Sequence, residues 1–251
     1  MPILDFKPVR TRSEFDARIA AHRKKLGMTD YKVWYRGHSH VKYNLVPSLL
    51  RSGPVKWQRE HNLYAEFKVK AKRFLSVGQS SWEALSTMQH WGAPTRALDW
   101  TTSLNVALFF ALYGTCDYPT IWLANPYDFN EKAFGGRRVV YDEVDAAPYE
   151  YIDSLGGNGV PHESPMALAV AWMNERIERQ AGLFTVHGSN VNPINEQPAL
   201  RNAIRHVVID NCLVPELRTS LIDSGDTPDR YFPDLAGICA AMKWKYELGL
   251  E

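Results

Sequence analysis

The sequence is poor in cysteine, in long apolar runs and in excess charge of either sign, and each shortage excludes something. Its three cysteines, Cys116, Cys212 and Cys239, form no close pair. Neither a disulfide framework nor a Cys-x-x-Cys or His/Cys zinc spacing is available, so no metal site is expected. No apolar run exceeds the eight residues of Val106–Tyr113, far short of the roughly 20 that span a bilayer. Pro2, Asp5 and Glu14 interrupt the N-terminus where a signal peptide needs an apolar core. The expectation is a soluble, cytoplasmic protein with no membrane partner. Lys plus Arg is 29 against 28 for Asp plus Glu, a net charge of +1. A global attraction to nucleic acid is therefore absent, while a local patch stays open. No P-loop, no G-x-G-x-x-G and no G-x-S-x-G nucleophile elbow occurs.

What is present is ordinary globular material. Of 251 residues, 45% are hydrophobic and 23% charged, enough to bury a core in one domain or two small ones. The 12% aromatic content, with 8 Trp and 12 Tyr, suits core, interface or base stacking, and composition does not choose. Phe15 and Ile19 predict an amphipathic helix over 12–25 with Ser13 as a candidate N-cap. YKVWYRG, 31–37, predicts a strand that delivers Arg36 to its end. Further helices are predicted over 58–77 and through SWEALSTMQHW. Residues 94–99 read as a loop. After it, Thr101, Thr102 and Ser103 are all N-cap types opening a helix with Leu104, Ala107, Leu108, Ala111 and Leu112 on its buried stripe. TIWLA (120–124), GLFTVHG and 207–209 read as strands, 141–165 as a loop excursion, and PELRTSLIDSG as a helix. The segment 167–173 is strand or helix. With no internal repeat or low-complexity linker, one compact α+β domain is the expectation.

Several polar groups stand at element ends. Arg36 can fork bidentately onto phosphate or carboxylate beside Gly37, whose missing side chain admits a ligand; an arginine simply ending a strand is the plainer alternative. Thr101, Thr102 and Ser103 can bind a polar ligand at a helix N-terminus, or only cap the helix. Gln89-His90-Trp91-Gly92-Ala93-Pro94-Thr95-Arg96 is dense in functional side chains for a loop. Arg96 and Asp99, flanking an apolar Leu98, are expected to be partly buried partners of one another.

Together these segments resemble the FRG domain, a bacterial family named for a Phe/Tyr-Arg-Gly signature, here Tyr35-Arg36-Gly37. QHWGAPTRALDWTTSLNVALFFA, residues 89–111, resembles its second motif, with Leu104 for the usual Pro and Ala97 for the usual Leu. Arg176-x-x-x-Gln180-x-Gly182-x-Phe184 resembles the third, and Phe232-Pro233-Asp234-Leu235-Ala236-Gly237 the fourth. The resemblance implies an N-terminal helical extension, 1–29, followed by the FRG domain, 30–251. The order of motifs is in turn similar to ADP-ribosyltransferases of the Arg–Ser–Glu type, which implies a split β-sheet core with surrounding helices and NAD as substrate. On that comparison Arg36, Gly37, Thr101, Thr102 and Ser103 bind the dinucleotide, and Gln180, Glu178 and His90 are the catalytic candidates. Gln180 stands where such enzymes carry a glutamate; a neutral amide can hold a hydroxyl but supplies no charge. The function implied is transfer of ADP-ribose to a macromolecular acceptor, DNA or another nucleic acid ahead of protein, as in a toxin or phage-defence effector. The alternatives are a non-catalytic nucleotide- or partner-binding module, and nucleic-acid cleavage by His90 and Asp99.

Overall fold

The computed structural model describes residues 6–29, 32–142, 148–170, 178–180 and 182–250. The strands are β1 (Trp34–His38), β2 (Ala97–Thr101), β3 (Thr120–Ala124), β4 (Val140–Tyr141), β5 (Met166–Ala169), β6 (Gly182–Val186) and β7 (Ile204–Val208). They form one sheet in the order β4-β5-β6-β2-β1-β3-β7. Every pair is antiparallel except β4 with β5. Helices α1 (Arg12–Lys25), α2 (Trp57–Lys70), α3 (Ser81–His90), α4 (Leu104–Leu112) and α5 (Pro126–Phe134) surround it, followed by Val214–Asp223 and a C-terminal helix, Leu235–Glu247. The fold class is α+β. No helix among the described residues is long and apolar enough to cross a membrane.

The sheet is made of two well-paired blocks joined by little. β1 matches β3 over five residue pairs, and β2 matches β6 over five. Between the blocks, β1 and β2 pair only at Tyr35 and Thr101. Beyond that point Arg36–His38 and Trp100–Asp99 part company, leaving a seam in the middle of the sheet.

Side-chain alternation assigns the faces. Tyr35, Gly37, Asp99 and Thr101 share one face; Trp34, Arg36, Leu98 and Trp100 share the other. On the first face two separate cores form. One packs α1 (Phe15, Ile19), α4 and Val214–Asp223 against Tyr35, Ile121 and Val207. The other packs α2 and α3 (Tyr64, Trp82, Leu85, Met88) against Leu168, Phe184 and Val186. The opposite face carries a third core around Trp34, Trp100, Trp122 and Phe129 that runs beneath both blocks.

Gly37 is set by packing. A Cβ there would lie 1.9 Å from the Ala107 carbonyl oxygen and 2.6 Å from the Ala111 nitrogen. The glycine lets α4 sit directly on β1; its missing side chain admits a helix rather than a ligand. Gly237 of the fourth motif has the same kind of reason, because a Cβ would lie 1.8 Å from the Phe232 carbonyl. Asp234 caps the C-terminal helix by accepting from the Gly237 N–H at 2.8 Å, and Trp244 then reaches Phe109 of α4, ring centroids 5.5 Å apart.

Some expectations are corrected. The helix expected to run to Val77 ends at Lys70 and is followed by a short turn, Lys72–Phe74. Thr11, not Ser13, caps α1. The loop expected over 94–99 becomes β2 from Ala97 onward, a central strand whose residues are buried apart from Asp99. In the third motif, Arg176 and the rest of 171–177 lie outside the described residues, as does Ala181; Glu178 and Arg179 are helical, and the strand starts at Gly182.

Candidate functional site

The seam opens into a cavity of about 840 Å³, within the roughly 300–1,000 Å³ of small-ligand clefts. Its walls come from both blocks: Tyr35 to Ser39 of β1 and the turn after it, Asp99 to Thr101 of β2, Gly182 and Phe184 of β6, and Val106, Ala107 and Phe110 of α4. Gln89 and His90 at the end of α3 and Lys42, Tyr43 and Arg51 of the 39–53 segment close the rim.

Arg36 sits at the centre of a polar chain that crosses the seam. Its Nη1 donates to the Asp99 carbonyl at 2.7 Å, a group freed from ladder pairing with β1 because the strands diverge. The same nitrogen is 3.6 Å from Asp99 Oδ2. Its Nε donates to His38 Nε2 at 3.0 Å. That contact requires His38 to be neutral with the proton on Nδ1, which lies 3.2 Å from the Tyr43 carbonyl. Burial, with Arg36 next to it, pulls His38 down to about 3, so the ring stays an acceptor. Burial also lowers the pKa of the Arg36 guanidinium, opposed by Asp99 and reinforced by Arg51; being an arginine, it remains charged.

On the other side, Gln89 Nε2 donates to Asp99 Oδ2 at 2.8 Å. The Thr95 hydroxyl donates to Gln89 Oε1 and accepts the Ala97 N–H at 3.2 Å. With both ends of its amide engaged, Gln89 has one orientation, and it fixes that of the carboxylate. The first two residues of QHWGAPTR thus have separate jobs: Gln89 braces Asp99, and His90 forms the rim.

The expected site residues divide. Arg36, Gly37, His90, Thr101 and Gln180 line the seam cavity together. Gln180 is held there by Nε2 donating to the Tyr231 carbonyl at 3.4 Å. Ser103 does not join them. It caps α4, accepting the Val106 N–H, and faces a second cavity of about 450 Å³ with Arg179, Asp226 and Arg230. A shared pocket for Arg36, His90, Ser103 and Gln180 is therefore corrected to three of the four. Thr101 turns its hydroxyl toward the Ser103 N–H at 3.1 Å, and Thr102 lines neither cavity. Glu178 is exposed and lines neither; without a strand under it, it does not share a face with Gln180.

The expected Arg96–Asp99 pair is also corrected. Arg96 points away from the seam and is bound bidentately by Glu60 of α2, while Nη1 donates to the His187 carbonyl at 3.0 Å. Tyr151 adds a hydroxyl to Glu60 at 2.6 Å. Burial works against the Arg96 charge and Glu60 more than restores it, leaving its pKa above the ordinary value. This is a buried structural network, with both side chains at or below 10% exposure. Asp99 instead faces the cavity.

His38, Lys42 and Arg51 were not expected here, and Gln89 was expected only as part of a loop dense in functional side chains. His38 carried a readable signal, since it follows Arg36 by two on one strand and so shares its face. The others come from loops and from a helix end, with no periodicity to mark them.

Residues 31–118 match the model of the FRG domain family, a span that includes β1, α3, β2 and α4 but stops before Gln180. No curated protein and no solved structure matches the chain.

Proposed function

Because this chain carries an FRG domain whose central arginine opens onto a built cavity, we propose that it is an NAD-dependent ADP-ribosyltransferase acting on a macromolecular acceptor, nucleic acid ahead of protein. The observation that carries this reading is Arg36. It stands at the seam with its fork held by His38 and the Asp99 carbonyl, in a cavity that also holds His90 and Gln180.

The residues present suit the dinucleotide. Arg36, Lys42 and Arg51 put three cations around one cavity, and Arg36 offers the planar donors that a diphosphate takes bidentately. Tyr43, Trp100, Phe110 and Phe184 give aromatic surface for the base and the nicotinamide ring. Gln180 can both donate to and accept from ribose hydroxyls. His90 stands at the rim, where an acceptor arrives, and can take its proton. Lys42 and Arg51 at the same rim favour an acceptor with a phosphate backbone. NAD would bring the activated bond to nicotinamide; the chain's own task is orientation and electrostatics.

One observation favours a second reading, a nucleotide-binding module without catalysis: the position expected to carry a glutamate is neutral Gln180, and Glu178 lies outside the cavity. The test is nicotinamide release from NAD with and without DNA, RNA or protein as acceptor. Release above the uncatalysed rate supports the transferase. Nucleotide binding without release supports the module.

A further inference from the structure

We propose that Asp99 is the catalytic carboxylate of this site, supplying the negative charge that Gln180 lacks and Glu178 is too far outside to give. The proposal rests on the transferase reading and adds to it the group that acts on the reacting atoms.

Among the described residues, Asp99 is the one carboxylate that lines the seam cavity. It lies on a strand whose other residues are buried, yet its own side chain is 51% exposed. A central strand exposes a charged group only where a cavity reaches it. The carboxylate is also oriented: Gln89 Nε2 and Arg36 Nη1 both approach Oδ2, and among the described residues nothing is hydrogen-bonded to Oδ1. Gln89 cannot swing away, because Thr95 holds its other end. One oxygen is thus anchored and the other is left for substrate. Such a rigid, prepaid arrangement is what electrostatic catalysis requires.

The step balances as follows. The bond from ribose C1′ to nicotinamide N1 breaks, and its electron pair leaves with N1 as neutral nicotinamide. Positive charge grows on the ribose, and the Asp99 carboxylate faces it. The acceptor's N–H or O–H then attacks C1′; the new bond forms from that nitrogen or oxygen, and its proton passes to Asp99 and on to water. No oxidant or further reactant is consumed. Arg36 participates by position: bound to a diphosphate, it neutralises less of the Asp99 charge than it does now.

The experiment uses the full chain as Asp99→Asn, Asp99→Glu and Glu178→Gln. It measures nicotinamide release from NAD with random-sequence single-stranded DNA, total RNA or protein extract as acceptor, together with NAD binding by calorimetry. For Asp99→Asn the expected result is a kcat lower by about 10²–10³-fold, with NAD affinity held, because His38 and the main-chain carbonyl of residue 99 still fix the Arg36 fork. Asp99→Glu recovers part of the rate, and Glu178→Gln stays within about twofold of wild type. A fall in NAD affinity with kcat unchanged would make Asp99 only a partner that orients Arg36, and overturn the proposal while leaving the transferase reading standing. So would full turnover by Asp99→Asn. Absence of nicotinamide release from wild type with every acceptor, alongside measurable NAD binding, overturns the transferase reading and the proposal with it.

Discussion

Arg36 and Arg96 each meet a carboxylate and each sit beside a buried, neutral histidine, yet the two pairs do different work. Arg96 and Glu60 close on each other bidentately, with Tyr151 and the His187 carbonyl satisfying what remains. Neither lines either of the two cavities described above. Arg36 and Asp99 stand 3.6 Å apart across an opening, and the fork spends its best hydrogen bonds on His38 and a main-chain carbonyl. A buried ion pair closed bidentately is a fixed part of the fold; an incompletely paired one facing a cavity is available to a ligand. What separates structure from site here is the completeness of the pairing, since the residue types are the same.

The comparison can be broken most forcefully at Glu60. Glu60→Gln leaves a buried guanidinium without its charge partner, and a loss of about 3–5 kcal/mol of unfolding stability is expected by urea denaturation. A loss under about 1 kcal/mol would mean that the Arg96 network is not the rigid half of the comparison. Next in size is Arg36→Lys. A point charge cannot reproduce the fork, so nucleotide affinity by calorimetry should fall about 10–100-fold while stability changes by less than about 1 kcal/mol. Equal affinity in the two proteins would rule out a bidentate clamp.

The two histidines sharpen the contrast through pH. Burial is the main cause that pulls both His38 and His187 down to about 3. Their folded values therefore lie below the ordinary value near 6.5. The unfolded chain takes up the protons first on acidification, so stability contributed by each ring is present above about pH 6.5 and is lost as pH falls toward 3. The slope expected is up to about 1.4 kcal/mol per pH unit for each histidine. His187→Asn should flatten the fall in melting temperature between pH 6.5 and 4.5 and leave ligand affinity alone; His38→Asn should flatten it and weaken ligand binding as well. A common effect on affinity would erase the distinction. The smallest effect belongs to Gln180. Gln180→Ala is expected to lower nicotinamide release about tenfold, as for one lost hydrogen bond to a substrate hydroxyl, and to leave melting unchanged. Gln180→Glu keeps activity and adds NAD hydrolysis without acceptor. Ligand binding by Gln180→Ala at wild-type strength, with no release from wild type, would support the module reading.

Much of the fold could be read in advance, and the failures share a cause. The helices of α1, α3 and α4 and the strands at 120–124 and 182–186 follow from periodicity, because each buries one clear stripe or run. β2 escaped because its polarity belongs to the site. Asp99 breaks a buried strand at the point where the cavity reaches it, and from sequence that looks like a loop. Arg96 and Asp99 were paired by proximity along the chain, whereas each finds its partner on a different helix, Glu60 of α2 for Arg96 and Gln89 of α3 for Asp99. Ser103 was grouped with Arg36 by the order of motifs, yet two residues past the paired Thr101 the chain has already turned into the cap of α4. Arg36, His90 and Gln180 were legible because they belong to motifs at three separated places in the chain, and the fold brings those motifs to one cavity. The bracing by Gln89 was not, since a glutamine's partners are set only in three dimensions.

The single Tyr35–Thr101 pair has a mechanical consequence. Each block of the sheet is stiffened by ladders of five pairs, while the joint between them holds by one, so compliance is concentrated at the place where the cavity opens. A molecule seated against Arg36 on one block and Phe184 on the other would act as a tie-bar across that joint. Its binding would stiffen the joint by adding a link above the core the blocks already share, and amide exchange in Arg36–His38 and Leu98–Trp100 would slow together, far more than at the outer strands β4 and β7.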